Sequence, residues 1–170
     1  SGEGADMLIR RCLKDAGDPE LMHYEECRSL YREKFDADPL YKVVPYDGIM
    51  ETLKELKNRG MKLAVCSNKP HVAAVKVIAQ MFDGYFDLVI GQSDEIRPLK
   101  AAQEFGVTPS ECMYVGDTKT DMETGNAAKM HTVGVLWGFR DRWELESNGA
   151  EVIAEKPQDL LKICEEWKND

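Results

Sequence analysis

The amino-acid sequence predicts an α/β protein, a parallel sheet with helices on both faces, preceded by a small helical unit. Three observations predict it. From about residue 48 onward, short apolar runs that end at glycine or polar residues alternate with amphipathic stretches, the rhythm of strand and crossover helix. Gly60, Gly91 and Gly106 stand where one kind of stretch gives way to the next. Before about residue 43 there are two helical patterns and no strand signal.

Within residues 5–16, Leu8, Cys12 and Leu13 recur at helical spacing, and Gly17 ends the helix. A longer helix is expected over 19–35, with Leu21, Tyr24, Cys27, Leu30, Tyr31 and Phe35 as its apolar positions. Two helices cannot bury both their faces alone, so residues 1–43 read as a partial helical cap that packs on a core of residues 44–170. In the core, a helix over 48–59 is closed by Gly60 and followed by a buried strand at 62–66. Pro70 opens a helix with Val72, Val75, Val77, Ile78 and Met81 as apolar positions, and the next strand, 86–90, is stopped by Gly91. A short helix at 99–105, a strand at 112–115, a helix at 120–129 and a strand at 131–136 follow. A short strand at 151–154 and a closing helix at 157–167, with Leu160, Leu161, Ile163 and Cys164 facing inward, complete the pattern.

At 170 residues the chain is long enough for one core with an appendage. Its net charge of −9 disfavours nucleic acid and anionic membrane as partners, and any phosphate site on such a surface needs its own local donors or a cation. No apolar run approaches a membrane span or a signal peptide, and a cytoplasmic location is expected. Five cysteines without metal-type spacing read as reduced thiols, mostly buried. His23, His71 and His131 are scattered and receive no role.

Two stretches carry chemistry. Met113 to Gly116 is an apolar run that ends in a turn, and Asp117 and Asp121 follow, four residues apart. A carboxylate at the C-terminal tip of a parallel strand lies where open α/β sheets bind ligands, and one in the next helical turn can face the same spot. Two such oxygen ligands suit Mg²⁺. The same residues also suit a plain helix start, with Thr118 or Thr120 as cap and Asp121 complementing the dipole. The strand at 62–66 runs into Ser67-Asn68-Lys69-Pro70, which puts a hydroxyl, an amide and an ammonium ahead of a helix N-terminus. That arrangement suits phosphate, and equally an ordinary N-cap with Pro70 in the first turn. If the strands are parallel, both tips open on one edge of the sheet. Trp137-Gly138-Phe139 could line the mouth of such a site or pack at the sheet edge.

Together these stretches resemble the haloacid dehalogenase superfamily of phosphatases, and within it the phosphoglycolate phosphatase-like group. The resemblance rests on Pro45-Tyr-Asp-Gly48, Leu63-Ala-Val-Cys-Ser-Asn-Lys-Pro70, Val115-Gly-Asp-Thr-Lys-Thr-Asp121 with Ala127-Ala128, and Val133-Gly-Val-Leu-Trp-Gly138; Gly2-Glu-Gly-Ala-Asp-Met-Leu8 looks like the start of that group's cap. It implies a Rossmann-like core with a small helical cap and Mg²⁺-dependent hydrolysis of a small phosphorylated substrate, with 2-phosphoglycolate favoured. It also implies Ser67 on the phosphoryl oxygen with Asn68 beside it, and Asp117 as a Mg²⁺ ligand supported by Asp121.

The sequence departs from that family in two places. The family's nucleophile is the first Asp of an Asp-x-Asp-x-Thr motif on an N-terminal strand, and this sequence contains no such motif. The family's lysine lies in a loop that is shorter here, Gly91-Gln-Ser-Asp-Glu-Ile-Arg-Pro-Leu-Lys100. Lys100 is the nearest lysine, although its register puts it on the helix, and Lys69 is the alternative cation. Both departures lead to the expectation of a longer native chain, with a further N-terminal strand and a longer loop near 97–99. A core lacking its first strand would leave unpaired backbone on two buried edges. The alternatives are a non-catalytic relic that binds phosphate or a protein, and a sugar-phosphate mutase of the same fold.

Overall fold

The computed structural model describes residues 4–37, 40, 43–92 and 96–167. Gly2 and Glu3 of the cap motif, residues 93–95 of the shortened loop and the side chain of Phe35 lie outside that description.

The first quarter folds as α1 (Gly4–Asp15) and α2 (Tyr24–Ala37), packed on one another. The buried pair on α1 is Ile9 and Leu13, while Leu8 and Cys12 face outward, so the apolar stripe is rotated from the expected one. α2 starts at Tyr24 and not at Pro19 because the Asp18 carboxylate accepts the N–H groups of Met22 and His23, both at 2.9 Å. With Leu21 at φ 60°, the chain turns there before it winds.

The rest alternates as the sequence predicts. α3 (Ile49–Asn58) leads to β1 (Ala64–Pro70), and α4 (His71–Met81) joins it to β2 (Leu88–Gln92). α5 (Arg97–Phe105) and a 3₁₀ turn (Pro109–Glu111) lead to β3 (Met113–Gly116), and α6 (Lys119–Ala127) to β4 (His131–Val135). α7 (Arg142–Ser147), β5 (Val152–Ala154) and α8 (Asp159–Trp167) finish the chain. The 3₁₀ turn and α7 are additions to the expected elements; α7 is capped by Asp141, whose side chain accepts the Glu144 N–H at 2.9 Å. No helix among the described residues is long and apolar enough to cross a membrane.

All strand pairs are parallel, but hydrogen bonding divides the strands into two sheets, β1-β2 and β3-β4-β5. β1 runs on past Cys66 through a bulge, so that Pro70 pairs with Gln92 and Ser67-Asn68-Lys69 form the strand's own tip. Gly91 lies inside β2 and does not stop it. No strand pairing joins β1 to β3 among the described residues. Burial first, and Cys66 on β1 second, push the Tyr114 phenol on β3 up, while Arg97 opposes the shift of both groups, so these three side chains lie within electrostatic reach of one another. Val115, in the middle of β3, is 43% exposed, the mark of a parallel strand covered incompletely.

Alternation along β4 places the two layers. Val133 and Val135 join Ala154, Leu160 and Ile163 in a cluster under α8, with Met113 and Trp137 against it. Thr132 points the other way, to α6, where Gly125 lets the helix come close: a Cβ there would lie 2.6 Å from Thr132 Cγ2 and 2.9 Å from Tyr114 Cβ. Ala102, Ala128 and Met130 form a second cluster with Cys112 and Tyr114. Helices bridge the two sheets: Arg59, just past α3, donates to Leu161 O at 3.2 Å and to Glu165 Oε1 at 2.6 Å on α8.

Asp87 pins the start of β2 to α3 and to the residue before β1, accepting from Lys57 Nζ at 2.8 Å and from the Leu63 N–H at 2.9 Å. The Lys57 ammonium first, and the Leu63 N–H second, hold its carboxyl below the ordinary 3.8. A depressed folded pKa gives stability that is fully present above the unfolded value and is lost as the pH falls through the folded one. Asp87→Asn is therefore expected to lower the urea midpoint at neutral pH and to flatten the acid limb below about pH 4, measured by denaturation from pH 7 to pH 3. An acid limb unchanged by the substitution counts against the contribution.

Candidate active site

The turn after β3 is built around Asp121. Its Oδ2 accepts from Thr118 Oγ1 at 2.6 Å, from the Thr118 N–H at 3.1 Å and from the Asp117 N–H at 3.3 Å. Thr118 caps α6 in return, accepting the Asp121 N–H at 3.3 Å, so one oxygen of Asp121 is committed to a capping box. The carboxylate sits directly on Gly116: a Cβ at that glycine would lie 2.5 Å from Asp121 Cγ and 2.9 Å from its Oδ2. Both readings of the sequence thus hold a part of this residue, since Oδ2 serves the helix start and Oδ1 has no hydrogen bond among the described residues.

Asp117 stands at the strand tip proper, partly exposed. Its Oδ2 accepts the Phe139 N–H at 2.8 Å, from the loop after β4, and its side chain packs on Gly138. No hydrogen bond reaches its Oδ1 among the described residues. Of the aromatic stretch considered for the mouth, Trp137 packs on the core and only Gly138 and Phe139 reach the site. An accessible carboxylate oxygen without a protein donor, beside a second one a helical turn away, is a donor set that fits a hard divalent cation. No group of three or more His, Cys, Asp and Glu side chains that could hold a metal occurs among the described residues, so these two would form only part of a cation's shell.

At the tip of β1, the Lys69 N–H donates to Ser67 Oγ at 3.2 Å, which leaves the Ser67 hydroxyl proton to donate outward. Arg97, at the first turn of α5, donates through Nη2 to Asn68 Oδ1 at 2.6 Å. That bond fixes the amide so that its NH₂ group is the end left to a ligand. Sequence reasoning passed over Arg97 and named Lys100 and Lys69. α5 begins two residues earlier than expected, and this puts Arg97 at the tip and Lys100 a turn farther along the helix. Burial pushes the Cys66 thiol, just below this tip, up to about 11, with the Arg97 charge opposing, so it stays protonated and is no nucleophile at neutral pH. The described residues thus form a cluster of donors on β1 and α5 and a separate cluster of carboxylates after β3 and on α6.

A family model described as haloacid dehalogenase-like hydrolase matches residues 6–135. A phosphoglycolate phosphatase of Aquifex aeolicus is 33% identical over 172 residues, covering 96% of this chain and 76% of its own length. A phosphoglycolate phosphatase of Pseudomonas putida is 28% identical over 174 residues, and there the chain spans 64% of the relative. Among solved structures, a chain from Lactobacillus delbrueckii subsp. bulgaricus superposes with a TM-score of 0.87 at 27% identity, covering 96% of this chain and 79% of that one.

Proposed function

The chain belongs to the haloacid dehalogenase-like hydrolases, and from that premise we propose that it serves the Mg²⁺-dependent hydrolysis of a small phosphomonoester, with 2-phosphoglycolate the favoured substrate. The observation that supports this reading is that each tip carries one half of the chemistry, donors for a phosphoryl group fixed by Arg97 at the end of β1 and carboxylates for a cation fixed by Phe139 after β3. The name shared by relatives of 33% and 28% identity supports the choice of substrate.

In this reading Ser67 and the Asn68 amide hold two phosphoryl oxygens, and Arg97 takes the cationic role for which Lys100 and Lys69 were the sequence candidates. Asp117 holds the cation, and Asp121 keeps the turn in place while offering Oδ1. Mg²⁺, when bound there, would offset charge on the phosphoryl group. The nucleophile would come from a further strand, a reading compatible with the lack of any strand pairing between β1 and β3 among the described residues. An aspartate at that strand's tip would attack phosphorus and break the ester P–O bond; the alkoxide would leave as the alcohol with a proton from a neighbouring acid, and water would then hydrolyse the aspartyl-phosphate to free phosphate. Residues 1–43 form part of a cap that closes over the substrate and keeps water out.

The test is phosphate release by the full-length protein. Release from 2-phosphoglycolate with Mg²⁺ is expected to stop with excess EDTA and to return when Mg²⁺ is restored. Interconversion of hexose phosphates without free phosphate would replace hydrolysis with the mutase reading, and phosphate binding without turnover would leave the relic.

A further inference from the structure

Gly138 and Phe139 follow β4, more than twenty residues from Asp117 in the chain, yet they make the two contacts that fix its carboxylate. The Phe139 side chain is 69% exposed, so its position owes little to side-chain packing. Its main-chain N–H, by contrast, is spent on Asp117 Oδ2 at 2.8 Å. Gly138 is what lets the main chain come so near. A Cβ built on it would overlap Asp117 Cβ and Oδ2 and lie 2.5 Å from Asp117 Cγ, and no rotation of an alanine methyl relieves that. Its backbone is not in the left-handed region, so close approach and not φ is what demands glycine here.

We propose that Gly138 is a positioning residue for the cation site: the turn it permits binds one oxygen of Asp117 through the Phe139 N–H and so presents the other to a divalent cation. The inference rests on the reading of Asp117 as a metal ligand and adds what that reading leaves open, the reason this carboxylate has a single free oxygen and a fixed direction. Partners that orient a ligating carboxylate in this way typically change metal affinity 10- to 100-fold when lost.

The experiment compares wild type with Gly138→Ala as full-length proteins, using Mn²⁺ titration followed by electron paramagnetic resonance, inorganic phosphate titration, and thermal unfolding. Mn²⁺ affinity is expected to fall about tenfold or more, while phosphate affinity and the unfolding midpoint stay near wild type, because the donors on β1 belong to the other sheet. Unchanged Mn²⁺ affinity in a folded variant overturns the inference and leaves the reading of Asp117 standing. Absence of Mn²⁺ binding by the wild type overturns both. Should the variant unfold, the wild type decides: the Phe139 amide resonance must move on Mg²⁺ addition with the same midpoint as metal binding, and a resonance that stays in place overturns the inference.

Discussion

Asp117→Asn in the full-length protein is expected to lower phosphate release from 2-phosphoglycolate by about a thousandfold, equivalent to ~4 kcal/mol of lost transition-state stabilisation. The amide keeps an oxygen to accept the Phe139 N–H, so the turn is expected to survive and the unfolding midpoint to move little. What disappears is the negative charge on the oxygen that meets no protein donor. A steady-state phosphate assay across Mg²⁺ concentrations separates two causes: weakened cation binding is overcome by added Mg²⁺, and a lost transition-state contact is not. A variant that hydrolyses at the wild-type rate would remove Asp117 from the site.

Gly91→Ala is expected to be the most destabilising small substitution, costing about 3 kcal/mol or more in urea unfolding. Gly91 is buried, and an added Cβ would overlap His71 Cα, lie 2.6 Å from His71 N and 2.8 Å from Lys69 O. Every one of these atoms is main chain, so no rotamer relieves the overlap, and either β2 or the junction of β1 and α4 must move. The Gly91 N–H also donates to His71 Nδ1 at 3.3 Å, a bond that such a movement would break. Since the junction contains Ser67-Asn68-Lys69, phosphate affinity should fall together with stability. A cost below about 1 kcal/mol would mean that the close approach yields easily.

The contrast between Gly91 and Asp117 shows what was legible in the sequence. Asp117 and Asp121 could be read because their placement is local: an apolar run, a glycine and a helix start fix where both carboxylates stand. The order of strands and helices could be read for the same reason. The strand at 62–66 was placed, but its continuation to Pro70 depends on a bulge against Gln92, which no pattern within the strand reveals. Arg97 was missed because its bond to Asn68 spans 29 residues, although Pro98 was a readable sign that the helix starts at that point. Asp141 ahead of Glu144 was likewise a readable cap for α7, and Asp18-Pro19 a readable turn ahead of α2. Gly91, Gly116 and Gly138 were beyond reach, because a glycine that ends an element and one that admits a neighbour look the same in a sequence.

The division of the strands into two sheets has a consequence for how substitutions combine. A ladder of hydrogen bonds transmits a shift from strand to strand, but the donors at the tip of β1 and the carboxylates at the tip of β3 stand on different ladders. Their spacing is set by helix packing and by long polar side chains such as Arg59, whose contacts adjust by rotation more readily than a register does. The two halves of the site are therefore held by separate ladders. Without ligand, a change to one half should leave the other nearly intact, whereas with cation and phosphoryl group both bound the two halves share a partner and paired changes across the gap should no longer sum.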